Sequence, residues 1–182
     1  MVIAGFFLAN LYITPGLEEH LFLFKRATLS DGVLHGTSQG EWWRFLTVAL
    51  VHAGWIHLVM NMLAFHQLGT VLEQFLGRYK YLALMFTSLV GASFVSNYFA
   101  LDNVPSVGAS GMIYGLFGAF VVVSKRVGAD PRSIYVTIAI NLGLTFSISG
   151  IDWHAHVGGL IVGALVTYLL TLNGPQKRLR NI

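Results

Sequence analysis

The chain has 182 residues, of which 55% are hydrophobic and only 10% are charged. Soluble domains carry about 25% charged residues, so this composition excludes a surface covered by water and predicts a protein embedded in lipid. The lack of cysteine excludes disulfides and thiolate metal sites, and the net charge of +3 is too small to indicate nucleic-acid binding.

Apolar runs predict six membrane spans within a single domain, residues 1–182. A helix that crosses a bilayer needs about 20 predominantly apolar residues. The first run is shorter, but it lacks the basic leader of a signal peptide, so we interpret it as a span. The predicted spans are residues 1–14, 55–74, 81–100, 107–124, 134–149 and 154–172. The expected fold class is an all-α membrane protein, a bundle of six transmembrane helices.

A long mixed segment, residues 17–54, separates the first two spans. Irregular backbone is excluded from the lipid-facing hydrocarbon core. We therefore expect an interfacial outer loop of short amphipathic helices, with Trp42 and Trp43 at headgroup level. Eight of the eleven lysines and arginines fall on the side that holds both termini. The positive-inside rule then puts the termini in the cytoplasm and the outer loop outside.

A serine stands between small residues where the fourth predicted span begins, in the sequence Gly108-Ala109-Ser110-Gly111. For a lone serine, close helix packing is the more common role, and a stripe of glycines follows that suits packing. The glycines also allow a backbone and a substrate to approach the hydroxyl closely. The motif alone therefore leaves packing and nucleophilic catalysis open. The stripe consists of Gly111, Gly115 and Gly118.

A histidine, His156, lies near the start of the sixth predicted span. An ionisable group within a span is costly and indicates function by default; the alternative is a structural histidine bonded to a neighbouring helix. Gly159 and Gly163 follow at i+3 and i+7, so the face that carries the histidine allows another helix to come close. If that face meets the glycine stripe of the fourth span, Ser110 lies beside His156. Tyr114, one turn after the serine, would then pack on the imidazole.

The two polar groups are expected at the same depth in the membrane. A helix rises about 1.5 Å per residue, so Ser110 lies about 22 Å above Lys125 at the cytoplasmic end of its span. By the same measure, His156 lies about 24 Å above Leu172. A serine and a histidine suffice for nucleophilic catalysis, because the imidazole takes the proton as the hydroxyl attacks. No aspartate stands where it could orient the imidazole, since Asp152 falls in the preceding loop.

The second predicted span carries His57 and Asn61 on one face, at i and i+4. Acyl transfer needs donors for the oxygen that becomes negative, and these two side chains with the Ser110 backbone N–H could supply them. The alternative is a hydrogen-bonded pair between helices. A metal site is not expected, because His154 and His156 are two residues apart and point to different faces of a helix. No cofactor is predicted.

Together these motifs resemble those of the rhomboid intramembrane serine proteases. Each motif alone is loose, but their order, spacing and placement are specific, and the resemblance covers nearly the whole chain from Glu41 onward. It rests on Gly108-x-Ser110-Gly111, Ala155-His156-x-x-Gly159, His57-x-x-x-Asn61, Trp43-Arg44 and Glu73…Gly77-Arg78.

The resemblance implies Ser110 as nucleophile and His156 as general base and acid. It implies His57 and Asn61 as oxyanion donors and Tyr114 as the packing partner of the histidine. It further implies a multi-pass protein of the bacterial inner membrane, whose active site opens to the outer side and cleaves single-pass transmembrane proteins in the lipid bilayer. Structural roles fall to Gly108, Gly111, Gly159, Trp43 and Arg44, the last two bracing the outer loop.

Two other functions compete with the protease. One is a catalytically silent relative that binds or escorts other transmembrane helices. The other is a small transporter, which predicts polar residues through the full depth of the bundle. Candidate catalytic residues favour the enzyme over the first, and the mostly apolar inner halves of the fourth and sixth spans argue against the second. The oligomeric state stays open.

Overall fold

The computed structural model describes residues 2–12, 16–99 and 101–172. The prediction of an all-helical membrane bundle is confirmed, except for one small hairpin in the outer loop. Its strands, β1 (Ala27–Thr28) and β2 (Leu34–His35), are antiparallel. The helices are α1 (Val2–Tyr12), α2 (Arg44–Thr47), α3 (Trp55–Leu76), α4 (Arg78–Phe99), α5 (Ser110–Val127), α6 (Arg132–Ser147) and α7 (Trp153–Thr171).

Three helices in the described part of the chain, α4, α5 and α7, are long and apolar enough to cross a membrane. A fourth candidate is α3 taken together with the short helical segment Arg44–Leu50, which meets it at a bend of 101°. The helices α1 and α6, with 11 and 16 residues, are shorter than the roughly 20 residues of a full span. The count of six spans therefore stays a prediction, and the basic residues after position 172 lie outside the described residues.

Helix α5 forms the centre of the bundle and packs against α3, α4, α6 and α7. Its contact with α7 is made by backbone, since glycines of the two helices face each other. A Cβ added at Gly159 would collide with the Gly111 carbonyl oxygen, and one at Gly163 would collide with the backbone of Gly115. The absence of side chains lets the two helix axes approach closely, which sets the relative position of the residues at their N-terminal ends.

The outer loop, residues 16–54, contains the hairpin where the mixed sequence predicts short amphipathic helices. The turn between the strands carries Asp31-Gly32, and Gly32 has a φ of 76°, which glycine adopts without strain. The Asp31 carboxylate accepts from the Val33 amide at 2.9 Å and closes the turn. These turn residues override the amphipathic pattern, and the helical segments of the loop are short, the longest being Arg44–Leu50.

A buried arginine holds the outer loop together. Arg44 is 0% exposed. Its Nε donates to the Glu41 carboxylate at 2.6 Å, and one terminal nitrogen donates to the carbonyls of Glu19 and Phe22 at 2.9 and 2.7 Å. The neighbouring Trp43 donates its indole N–H to the His20 carbonyl at 3.2 Å.

The loop in turn holds the segment that leads into α5. Leu23 and Ser106 form an isolated antiparallel bridge with two backbone hydrogen bonds, of 3.1 and 2.7 Å. The Gly108 amide donates to the Val48 carbonyl at 3.0 Å. The outer loop therefore positions the residues immediately before Ser110.

Candidate active site

Ser110 is the first residue of α5, and the turn before it explains the glycine at position 108. Gly108 has a φ of 108°, where side chains are strained, and a Cβ there would lie 2.7 Å from the His57 ring. The chain thus needs glycine at this position both for its conformation and for the close approach of the histidine. The hydroxyl-bearing residue itself is partly exposed at the N-terminal end of the helix.

The structure brings Ser110 and His156 together. The serine Oγ lies 2.8 Å from the histidine Nε2, within hydrogen-bonding distance. His156 sits in the first turn of α7 and is 7% exposed. The facing glycines of α5 and α7 create this proximity, because they hold the two helix starts side by side.

Tyr114 stacks on the imidazole, as its position one turn after Ser110 predicts. The two rings are 4.1 Å apart between centroids and are inclined by only 13°. The tyrosine is 5% exposed. A flat ring against the imidazole restricts its rotation, so the histidine keeps its edge toward Ser110.

The aspartate nearest in sequence does not orient the imidazole. The Asp152 carboxylate accepts from the Ala155 amide at 3.0 Å and so caps the start of α7, and it also accepts from the Ser96 hydroxyl. The imidazole Nδ1 instead lies 2.8 Å from the Oγ1 of Thr145 on α6. Thr145 is a site residue that the sequence analysis missed.

The His57 ring of α3 lies beside the turn before Ser110, where a Cβ at Gly108 would be 2.7 Å from it, and Asn61 follows one helical turn later. The Ala53 amide donates to the His57 Nδ1 at 3.3 Å, which leaves Nε2 as the protonated nitrogen of the neutral ring. Asn61 is 6% exposed and donates one of its two amide protons to the His57 carbonyl at 2.8 Å. Its second amide proton has no acceptor among the residues that the structure describes. The ring of His52, also buried, lies 5.0 Å from that of His57.

The fold and the candidate site define a helical membrane protein with a serine–histidine pair where two helices begin. Comparison with known proteins agrees with that class. The Rhomboid domain family model matches residues 39–173. The chain belongs to the rhomboid family, and with its apolar helices it is an integral, multi-pass membrane protein.

The curated relatives include proteins named as proteases. The chain is 39% identical over 140 residues to "Rhomboid protease GluP" of Bacillus subtilis (strain 168), an alignment that covers 74% of this chain but 27% of that protein. It is 31% identical over 170 residues to "Putative rhomboid protease YdcA" of the same organism, with 88% and 83% covered. It is 28% identical over 213 residues to "Rhomboid protease AarA" of Providencia stuartii, with 99% and 73% covered. The chain thus spans about a quarter of GluP and most of the other two.

Proposed function

We propose that this protein is a serine endopeptidase that cleaves transmembrane segments of other membrane proteins. The observation that carries the proposal is the 2.8 Å contact between the Ser110 Oγ and the His156 Nε2. A hydroxyl becomes a strong nucleophile when a base within hydrogen-bonding reach accepts its proton. Relatives named as rhomboid proteases support the same reaction class.

The two side chains suffice for a balanced reaction. His156 Nε2 takes the Ser110 proton while the serine oxygen adds to the scissile carbonyl carbon. The tetrahedral intermediate collapses, the C–N bond breaks, and the imidazolium returns the proton to the leaving amine. Water then attacks the acyl-enzyme as His156 accepts one of its protons, the ester C–O bond to Ser110 breaks, and His156 returns the proton to the serine oxygen, which restores the hydroxyl and releases the product carboxylic acid.

The oxyanion of the tetrahedral intermediate needs donors, and three groups are suited to the role. His57 has its Nε2–H, and Asn61 has one uncommitted amide proton. The backbone N–H of Ser110 belongs to the first turn of α5, where amides lack partners within the helix. Such donors act strongly in a site sheltered from water.

The position of the site suits a substrate that spans the bilayer. Ser110 begins α5, and the 15 residues that follow place it about 22 Å from the opposite end at Lys125. We infer that the site opens toward the outer side, with the termini in the cytoplasm, and that single-pass membrane proteins are cut near the outer ends of their spans. The likeness to bacterial relatives supports our assignment of the protein to a bacterial inner membrane.

Replacement of the nucleophile tests the proposal. Purified wild-type protein should cleave a reporter transmembrane segment in detergent or liposomes, and Ser110→Ala should abolish cleavage while leaving the thermal unfolding midpoint unchanged. Ser147→Ala is the matched control, because Ser147 is exposed and donates only to the Gly143 carbonyl of its own helix. Cleavage that persists in Ser110→Ala would contradict the proposal. A wild-type protein that binds the reporter without cutting it would favour the silent relative.

The oxyanion role of Asn61 has its own test. Asn61→Ala should lower the cleavage rate by about 10²- to 10³-fold if the amide stabilises the oxyanion. Asn141→Ala is the control, since that side chain makes the same kind of bond to the carbonyl four residues earlier but is only partly buried and belongs to α6. Equal rates in the two variants would reduce Asn61 to a packing residue.

A further inference from the structure

One threonine side chain contacts three polar groups around the candidate catalytic histidine. Thr145, on α6, is 4% exposed. Its Oγ1 lies 2.8 Å from the His156 Nδ1, 3.2 Å from the Tyr114 hydroxyl and 2.9 Å from the carbonyl oxygen of Asn141. This hydroxyl therefore joins α5, α6 and α7 at the imidazole edge opposite Ser110.

The directions of these three hydrogen bonds depend on where the single hydroxyl proton of Thr145 lies. A threonine hydroxyl has one proton and two lone pairs, and a carbonyl oxygen can only accept. In the arrangement that makes all three contacts hydrogen bonds, the Thr145 proton goes to the Asn141 carbonyl, and the Thr145 oxygen accepts from the Tyr114 hydroxyl and from the His156 Nδ1. The Nδ1 of His156 then carries a hydrogen.

A neutral imidazole carries a hydrogen on only one of its nitrogens. With Nδ1 protonated, Nε2 presents a lone pair to the Ser110 hydroxyl, 2.8 Å away. The opposite arrangement, in which Thr145 donates to Nδ1, puts the hydrogen on Nε2. In that arrangement the nitrogen facing the serine cannot accept its proton.

We propose that Thr145 is a positioning residue that holds neutral His156 in the tautomer with hydrogen on Nδ1 and so keeps Nε2 ready to deprotonate Ser110. This inference rests on the proposed protease function. When His156 takes the serine proton, both nitrogens carry hydrogens, and the Nδ1–H still donates to the same oxygen. Thr145 thus orients the ring in both protonation states.

A hydroxyl suits this buried place better than a carboxylate would. An ionised carboxylate removed from water carries a large desolvation cost unless it is paired and fully hydrogen-bonded. The threonine oxygen accepts from the imidazole without a net charge, and its own proton is satisfied by the backbone of its helix. The nearest carboxylate in sequence, that of Asp152, is engaged at the start of α7.

The tautomer can be measured without any activity. ¹⁵N NMR of histidine-labelled protein in micelles distinguishes a protonated from a bare ring nitrogen, and the His156 signals are assigned by their loss in His156→Gln. We expect Nδ1–H in the wild type and in Thr145→Ser, and a shift toward Nε2–H in the isosteric Thr145→Val. Thr137→Val is the matched control, because Thr137 makes the same bond to the carbonyl four residues earlier on α6 but is exposed. A wild-type His156 with hydrogen on Nε2 would overturn the inference.

Kinetics supply the second readout. Thr145→Val should lower kcat about 10- to 100-fold with little change in KM, because the loss of one buried hydrogen bond partner disfavours the reactive tautomer. Thr145→Ser should restore most of kcat, and Thr137→Val should match the wild type. Equal kcat in the two valine variants would contradict the role of Thr145. An inactive wild type would end the proposed function instead, while the NMR measurement would still decide the tautomer.

Discussion

The interface between α5 and α7 and the outer loop both position Ser110, but they do so with different forces. In the helix interface, glycine backbones lie against each other. In the outer loop, the buried Arg44 guanidinium donates hydrogen bonds to one carboxylate and two backbone carbonyls. Backbone hydrogen bonds from the loop hold the segment before α5.

The difference follows from the surroundings of each region. Between membrane helices apolar burial gives little driving force, because lipid is as apolar as the side chains, so close van der Waals packing of small residues holds them together. An irregular loop has many backbone groups without secondary-structure partners, and these need donors and acceptors from side chains. The interface is therefore sensitive to volume, whereas the loop is sensitive to charge and to hydrogen bonding.

The largest expected effect on stability comes from removing the buried arginine at the centre of the outer loop. Arg44→Ala removes the arginine partner of the Glu41 carboxylate, which keeps its bonds to His35 and to the Gly36 amide, and it removes the Arg44 donor from the carbonyls of Glu19 and Phe22. We expect a loss of about 3–5 kcal/mol in the free energy of unfolding. Arg26→Ala is the control, because its ion pair with Asp102 is exposed and should be worth at most about 1 kcal/mol. Denaturant unfolding in micelles measures both. Similar losses in the two variants would contradict the central role of Arg44 in the loop.

The next effect tests the sensitivity of the interface to volume. Gly163→Ala places a Cβ 2.5 Å from the carbonyl carbon of Gly115, so the helices must separate. We expect a loss of about 1–3 kcal/mol in unfolding free energy, with a lower cleavage rate as Ser110 and His156 move apart. In the control Gly143→Ala on α6, the added carbon meets no atom within 4 Å and should be tolerated. Wild-type stability in Gly163→Ala would show that the interface tolerates added volume.

The smallest expected effect is a change of stability with pH, which we expect to arise from a histidine in the outer loop. The His35 ring bonds Glu41 at 2.7 Å and Asp31 at 2.9 Å, and these bonds, the one to Glu41 first, raise the pKa of His35 above its ordinary value of 6.5. A raised pKa stabilises the fold fully below the unfolded value, and that stabilisation is lost as the pH rises through the folded value.

The His35 contribution is isolated by a difference between variants. The unfolding midpoint of the wild type should fall more between about pH 5.5 and pH 8.5 than that of His35→Gln. Gln39→Ala, at an exposed side chain of the same loop that does not titrate, serves as the control and should follow the wild type. Identical pH dependence in the wild type and His35→Gln would show that His35 does not contribute to the change of stability with pH.

Sequence reasoning predicted the features that depend on periodicity. Glycines at helical spacing in two spans predict which faces meet, and from those faces follow the proximity of Ser110 and His156 and the stacking of Tyr114. The fold class followed from composition, because so few charged residues cannot cover a surface exposed to water.

Other features of the fold and the site depend on tertiary contacts that the spacing of residues in the sequence does not reveal. Thr145 lies eleven residues before His156, on a different helix, and a threonine within a span usually serves packing. The hairpin in the outer loop depends on the turn at Asp31-Gly32, which the amphipathic pattern around it obscures. The bend of 101° before α3 likewise reflects how the loop packs back on the bundle.

The proposed reaction requires that His156 activates the Ser110 hydroxyl in the folded protein. The most direct measurement is labelling with a fluorophosphonate in micelles, followed by mass spectrometry of the peptide that contains Ser110. The probe phosphonylates the serine oxygen only where a base accepts its proton. We expect a label on Ser110 in the wild type and its loss in a folded His156→Ala variant. An unlabelled wild type, or equal labelling in both proteins, would contradict it.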